Sequence, residues 1–190
     1  PQSVDVNDLL NLVDVLTEDK AVAGFVYEPL IQGPAAMKTH NAKGLDKILA
    51  HLKSKQVLLI ADEVMTGFGK TGSYFASSQL QTLPDLICLS KALTAGLLPM
   101  AITSCTGEVF DAFYSDNLAK GFFHGHTYTA KPLACTAALA GLDLLESDKI
   151  QAGISRISAA HQAFSTRIKD HPLIKQTRQC GVIFAMELNV

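Results

Sequence analysis

Two reactive side chains follow short apolar runs in the middle of the chain. The run at 57–61 is followed by Asp62, and the run Leu86–Leu89 is followed two residues later by Lys91. Apolar runs of this length, bounded by turn signals, are typical of buried strands in a parallel sheet. Ligands of such sheets bind beyond the carboxyl ends of the strands. A lysine there can form a Schiff base and a carboxylate can hold a pyridinium nitrogen protonated, so the pair predicts a pyridoxal phosphate site.

Each residue alone also has a more ordinary interpretation, as a solvated lysine or as a turn aspartate. The neighbouring sequence favours chemistry, because DEVMTGFGKTG stands at 62–72, PD at 84–85 and SKALTAGLLP at 90–99. In this order and spacing the three segments resemble the signature region of the class III (ornithine-type) pyridoxal phosphate-dependent aminotransferases. The resemblance extends from about Val22 to the C-terminus.

The resemblance implies a role for each residue that matches the family motif. Lys91 is expected to be the catalytic Schiff-base lysine, which then moves a proton at the substrate α-carbon. Asp62 is expected to pair with the ring nitrogen of the cofactor, and Val64 to pack on one face of the ring. Thr127, in the run HGHTYTAKP, is expected to bind the cofactor phosphate of the other subunit, which implies a homodimer with a shared active site.

A second turn carries the residues expected near the substrate. Glu28 follows the apolar run 21–27 and begins EPLIQGPAAM, which resembles a turn of the same family. The resemblance places Glu28, together with His126, in the substrate pocket. Ala36 stands where the family usually has glycine. If the backbone there needs a positive φ, the alanine is strained.

Several details indicate a branch within the class. Met65 occupies the position where ornithine-type members usually carry glutamine, and methionine cannot donate that hydrogen bond. The EPLIQG turn, the Phe-Phe pair and HGHTYTAKPLAC look most like the branch that acts in biotin synthesis. That branch transfers an amino group from S-adenosylmethionine to 7-keto-8-aminopelargonate, so the partners are a small amino donor and a keto acceptor. The alternatives are ω-aminotransferases of the 4-aminobutyrate, β-alanine or ornithine type, or a relative of glutamate-semialdehyde mutase.

Two interpretations lie outside that class. His124 and His126 form an H-x-H pair that could bind a metal ion. The only obvious further ligands are Asp62, Glu63 and His40, and none has an established spacing, so no metal site is predicted. The other alternative is an inactive fragment with scaffold value only.

Composition excludes other classes of protein. Of 190 residues, 48% are hydrophobic and 18% are charged, as in a soluble α/β protein with a substantial core. A net charge of −2 without a basic stripe argues against a nucleic-acid partner. No apolar run is long enough to cross a membrane. Four cysteines without a disulfide or metal pattern predict a reducing, cytoplasmic setting.

The periodicity predicts α/β organisation, and the resemblance implies part of the fold-type I large domain, a mainly parallel sheet with helices on both faces. Helical spacing covers 5–16, 43–55, 107–114, a deeply buried 132–146 and an amphipathic 150–168, and further strands are expected at 100–104 and 181–188. Asp19 and Lys20 are expected to end the first helix. We expect 1–146 to belong to the cofactor-binding domain, and 147–190 to hold a connecting helix and the start of a small C-terminal domain.

The family also has parts that this sequence does not contain. The resemblance implies that the family's phosphate-binding loop and ring-stacking aromatic residue would precede residue 1, and that its substrate-carboxylate arginine would follow residue 190. Because a phosphate is held by several charge-assisted bonds made together, we expect these residues alone to bind the cofactor weakly and to catalyse nothing.

Overall fold

The computed structural model describes residues 5–18 and 21–189. The helices are α1 (Val6–Thr17), α2 (Ala42–Ser54), α3 (Gly107–Asp111), α4 (Pro132–Glu146) and α5 (Asp148–Ile168). The strands are β1 (Gly24–Tyr27), β2 (Ile31–Gln32), β3 (Lys38–Thr39), β4 (Leu58–Asp62), β5 (Leu86–Leu89), β6 (Ile102–Cys105), β7 (Ile174–Cys180) and β8 (Ile183–Leu188). Short 3₁₀ turns cover Ala76–Gln79, Lys91–Thr94 and Leu118–Lys120. The boundary expected at Asp19 and Lys20 lies outside the described residues.

The main sheet has the strand order β1-β4-β5-β6 and is mainly parallel, which confirms the predicted α/β class. Strands β1, β4 and β5 run in the same direction, and only β6 is antiparallel to its neighbour. Helix α2 connects β1 to β4, as a parallel pair requires. This topology brings the carboxyl ends of β1, β4 and β5 to one edge of the sheet.

Helix α2 covers one face of this sheet. Its residues Leu49 (0% exposed) and Leu52 (3%) belong to the same buried cluster as Leu59 and Ala61 of β4, both fully buried. The alternate residues of the strands point to the opposite face, where Val26 remains 63% exposed. The core therefore lies on the α2 side of the sheet.

Helix α4 begins and ends where the sequence predicts, but its expected deep burial is wrong for this chain. Its buried residues are Ala134 and Leu145, whereas Leu133 (66%), Leu139 (65%) and Leu144 (61%) are exposed. The small residues do allow close approach on one side, since a Cβ atom on Gly141 would lie 3.4 Å from the carbonyl oxygen of Leu93. A helix that is apolar all round needs neighbours on every side, and the described residues supply them only in part.

The C-terminal region forms an antiparallel hairpin of β7 and β8, covered by α5 through a contact between the rings of Phe164 and Phe184. The sequence predicts β8 but not β7. Strand β7 reads IKQTRQC and is rich in polar residues, so it lacks the apolar alternation by which strands are identified. No helix among the described residues is long and apolar enough to cross a membrane.

The hairpin turn contacts the Gly-rich turn (residues 66–72) that follows β4. Gly181 has a φ of 57°, and a Cβ atom placed on it would lie 2.2 Å from the carbonyl carbon of Thr71 and 2.4 Å from the nitrogen of Gly72. Next to it, the Val182 N–H donates a 3.0 Å hydrogen bond to the Lys70 carbonyl. Only glycine permits this contact between two backbones.

We therefore expect Gly181→Ala to lower the free energy of unfolding by about 2 kcal/mol or more, because the methyl group overlaps backbone atoms at a positive φ. Urea unfolding of the variant and its parent measures the difference. Gly153→Ala is the matched control, since nothing lies within 4 Å of its Cβ position in α5 and alanine favours a helix. Equal stability of the Gly181 variant and its parent would contradict the contact.

Candidate active site

The candidate site lies at the sheet edge where β1, β4 and β5 end. Glu28 follows β1, Asp62 is the last residue of β4, and Lys91 comes two residues after β5. Parallel pairing places Asp62 opposite Cys88, three residues before the lysine. Neighbouring strands lie about 4.8 Å apart, so this pairing sets Asp62 and the start of the lysine turn side by side.

The carboxylate of Asp62 is half-buried and keeps one oxygen free for a ligand. Its Oδ1 accepts a 3.0 Å hydrogen bond from the Val64 N–H, and among the described residues no donor meets Oδ2. The bond makes a local turn that holds the carboxylate at the strand end. Val64 is itself half-buried directly beyond it. This donor set fits the protonated nitrogen of a pyridine ring.

Lys91 begins a 3₁₀ turn with φ at 42°, in the left-handed region that is uncommon for a residue with a side chain. Two bonds hold the turn: the Ser90 hydroxyl donates to the Met100 carbonyl at 2.7 Å, and the Leu93 N–H donates to the Ser90 carbonyl at 2.9 Å. The lysine is exposed and forms no ion pair within the described part of the chain. Its amine is therefore available for covalent chemistry.

Glu28 and Met65 both lie next to Gly33. The Glu28 Oε2 atom accepts a 2.9 Å hydrogen bond from the Gly33 N–H. A Cβ atom on Gly33 would lie 2.8 Å from the Met65 Sδ atom and 3.5 Å from Glu28 Oε2. The methionine thus packs against the loop that carries the Glu28 carboxylate. The Glu28 carboxylate is held by a backbone N–H, and no basic side chain among the described residues pairs with it.

The strain considered for Ala36 is present, because its φ is 57° and that of Met37 is also 57°. The Ala36 carbonyl accepts a 3.1 Å hydrogen bond from Arg178 Nη1. Arg178 also contacts Glu187, which lies 2.6 Å from Lys175 Nζ. Hydrogen bonds from Lys175 and Arg178 lower the pKa of Glu187 to about 2. An arginine of the C-terminal hairpin therefore holds the strained loop in place.

We expect Ala36→Gly to raise the free energy of unfolding by about 1 kcal/mol, because glycine adopts a positive φ without steric cost. The arginine bond goes to the backbone carbonyl and survives the substitution. The same change at Ala159, exposed in the middle of α5, should lower stability by about 1 kcal/mol. Thermal unfolding of both variants checks the sign, and a loss of stability at position 36 would contradict the strain.

Unlike Asp62 and Lys91, Thr127 does not lie at the end of a strand of the main sheet. His126 and Thr127 lie on an exposed segment, where the Tyr128 N–H donates to His126 Nδ1 at 3.1 Å. His126 lines a cavity of about 570 Å³ together with Ser90, the residue before the lysine. Thr127 is not among the described residues that line it. Their roles stay predictions.

The metal hypothesis gains no further ligand from the fold. Within residues 5–18 and 21–189, no three His, Cys, Asp or Glu side chains come together in an arrangement that could hold a metal ion. The ring of His124 stacks on Phe122, with their centroids 5.7 Å apart.

Two acidic residues have structural roles that the sequence does not assign. Asp85, from the PD pair, accepts a 2.8 Å hydrogen bond from the Leu59 N–H through Oδ2, and its own N–H donates to the Leu59 carbonyl at 2.8 Å. These bonds fix β4 against β5. Glu63 is fully buried directly after Asp62. Strand alternation, which turns Glu63 away from the Asp62 side, is the signal that could have identified it.

Comparison with known proteins identifies the family of this chain. The model of the family described as aminotransferase class-III matches residues 4–190, so the chain belongs to that family. It is similar to the adenosylmethionine-8-amino-7-oxononanoate aminotransferases of Synechococcus elongatus (44% identity, 88% of this chain, 39% of the relative) and Staphylococcus aureus (38%, 95% and 40%). The chain thus spans about two fifths of the length of these curated relatives.

A solved structure gives the same result for the fold. The adenosylmethionine-8-amino-7-oxononanoate aminotransferase of Methanocaldococcus jannaschii superposes with a TM-score of 0.88 at 31% identity, covering 96% of this chain and 42% of that one. The fold is therefore that of the pyridoxal phosphate-dependent aminotransferases, as predicted.

Proposed function

We propose that this chain carries the lysine and aspartate of an aminotransferase that uses pyridoxal phosphate. The observation that supports this most directly is the placement of Asp62 and Lys91 at the carboxyl ends of two paired parallel strands. When bound, the cofactor supplies an electron sink for the α-carbanion of the amino donor. The Asp62 Oδ2 oxygen and the Lys91 amine, neither of which has a partner in the part of the chain that the structure describes, fit that group.

Each residue at this edge of the sheet has its own proposed role. Asp62 keeps the ring nitrogen protonated, and Val64 packs on the ring face. Lys91 would hold the cofactor covalently, and its amine would carry the proton that leaves the substrate α-carbon to the C4′ atom of the cofactor. Glu28, fixed by the Gly33 N–H, lines the substrate pocket with His126.

For substrates, we propose S-adenosylmethionine as amino donor and 7-keto-8-aminopelargonate as acceptor, in biotin synthesis. The similarity to relatives that carry the corresponding name supports this choice. Met65, which cannot donate a hydrogen bond as glutamine does, argues against the ornithine type. The alternative is another class III enzyme acting on 4-aminobutyrate or β-alanine.

We also propose a homodimer, in which Thr127 reaches the cofactor phosphate of the partner subunit. Thr127 is exposed, and the same segment of the chain exposes the apolar rings of Phe122 (69% exposed), Phe123 (82%) and Tyr128 (70%). Such a surface is typical of an interface.

For the domain organisation, we propose that residues 1–146 belong to the cofactor-binding domain and that residues 147–190 form the connection to a small C-terminal domain. A cytoplasmic setting is supported by the free state of all four cysteines.

The test is an assay of the full-length protein with pyridoxal phosphate and each donor in turn. We expect transfer from S-adenosylmethionine to 7-keto-8-aminopelargonate with kcat/KM at least about 100-fold above that for 4-aminobutyrate, β-alanine or ornithine. Faster transfer from one of those three donors would overturn the substrate assignment. Absence of any cofactor-dependent transfer would overturn the class of reaction.

A further inference from the structure

Glu63, the residue after Asp62, is a fully buried carboxylate whose two oxygens both have two donors. Oε1 accepts from the Ser77 N–H at 2.8 Å and from the Ser77 hydroxyl at 2.5 Å. Oε2 accepts from the Ala76 N–H at 2.7 Å and from the Thr66 hydroxyl at 3.1 Å. Ala76, Ser77 and Thr66 are themselves buried. No base pairs with Glu63 among the described residues.

The backbone of the same residue is bound on both sides. Its N–H donates to the Cys88 carbonyl at 2.9 Å, which continues the pairing of β4 with the strand that leads to Lys91. Its carbonyl accepts from the Gly67 N–H at 3.0 Å and so closes the turn that contains Val64. Glu63 therefore joins the end of β4, the end of β5, the Gly-rich turn and the 3₁₀ turn at Ala76–Gln79.

The direction of this side chain decides the direction of its neighbour. Successive residues at a strand end point to opposite sides, so a carboxylate anchored in the core turns Asp62 toward the opposite face of the sheet. Charge-assisted hydrogen bonds are about twice as strong as neutral ones, and four of them make the anchor rigid. Burial, followed by the negative charge of Glu63, raises the pKa of the Tyr27 hydroxyl, as expected for a carboxylate on the core side.

We propose that Glu63 is a positioning residue, which holds Asp62 in the direction that meets the ring nitrogen of the cofactor. The inference rests on the proposed function and deepens it. In this proposal the position of the Asp62 carboxylate is controlled by Glu63, a residue that touches neither cofactor nor substrate. Misplacement of a catalytic contact by about 1 Å can cost about 100-fold in rate.

Glu63→Gln tests the anchor with almost no change in volume. The amide nitrogen replaces one acceptor oxygen and faces either the Ala76 or the Ser77 N–H, and two donors cannot bond to each other. One backbone N–H is then left unpaired, and the strand end shifts to avoid it. Ser77→Ala is the milder variant, since it removes one of the two bonds to Oε1 and leaves the backbone bond.

The experiment uses the full-length protein with pyridoxal phosphate and compares four variants: Glu63→Gln, Ser77→Ala, Asp62→Asn and Leu52→Ala. The last is a control, since Leu52 is 3% exposed in the core of α2 and its truncation lowers stability without touching the strand end. The readouts are the unfolding midpoint without cofactor, the dissociation constant of the cofactor, the pH dependence of its visible absorbance, and kcat with KM for the donor.

We expect Glu63→Gln to shift the pH dependence in the same direction as Asp62→Asn and to lower kcat about tenfold or more at nearly constant KM. Ser77→Ala should show the same changes in pH dependence and kcat with a smaller magnitude. Leu52→Ala should show only the lower unfolding midpoint. The proposal is overturned if Glu63→Gln behaves like Leu52→Ala, or if Glu63→Gln does not fold and Ser77→Ala has parental absorbance and kcat. If Asp62→Asn itself leaves the absorbance unchanged, the proposed role of Asp62 is wrong as well. This variant therefore distinguishes failure of the proposed function from failure of the Glu63 anchor alone.

Discussion

Replacement of Lys91 by alanine in the full-length protein is expected to abolish amino transfer. The lysine is proposed both to bind the cofactor covalently and to move the proton at the substrate α-carbon, and general base catalysis alone contributes about 10²- to 10⁴-fold. We expect kcat to fall by about 10⁴-fold or more. Alanine is the informative replacement, because φ at this position is 42° and glycine would also relieve backbone strain.

The measurement combines turnover with borohydride reduction of the protein loaded with pyridoxal phosphate. In the parent, the reduced cofactor should remain attached to the peptide that contains Lys91, and in the variant it should be absent. Lys149→Ala is the control, since Lys149 is exposed on α5 and should leave both results unchanged. A Lys91 variant that still forms a reducible adduct on this peptide would disprove the assignment.

Asp62→Asn should preserve the fold and lower turnover by two or more decades. The asparagine Oδ1 can still accept the 3.0 Å bond from the Val64 N–H, so the turn beyond β4 is retained. An uncharged amide, however, cannot keep the ring nitrogen protonated, and loss of a charge-assisted bond costs about 1.5–3 kcal/mol directly, besides the weakened electron sink.

A second aspartate of the same sheet provides the control for this substitution. Asp85 pairs with Lys53 at 3.1 Å and binds the Leu59 N–H, but lies at the opposite end of β5 from the lysine turn. Asp85→Asn should lower stability while kcat per bound cofactor stays at the parental value. Turnover of the Asp62 variant within about threefold of the parent would exclude the proposed role.

Strands and helices whose signals are local could be predicted from the amino-acid sequence alone. β5 and α4 have the predicted bounds, and α2 and β4 differ from them by one residue at each end. Apolar periodicity and turn residues are local, so they can be identified without knowledge of any contact. The same holds for the position of Asp62 and Lys91 at the carboxyl ends of two strands, and the motif between them indicated the family.

The way in which those elements are held together depends on contacts that exist only in the folded chain. The anchor of Glu63 joins residues 13 and 14 positions apart, and the Arg178 bond to Ala36 spans 142 positions. The exposed leucines of α4 depend on which neighbours cover each side of the helix, and the polar strand β7 forms because β8 and α5 lie beside it. Each of these features is a contact between distant segments, and a contact has no signal in the local sequence because it is made of two surfaces that only folding brings together.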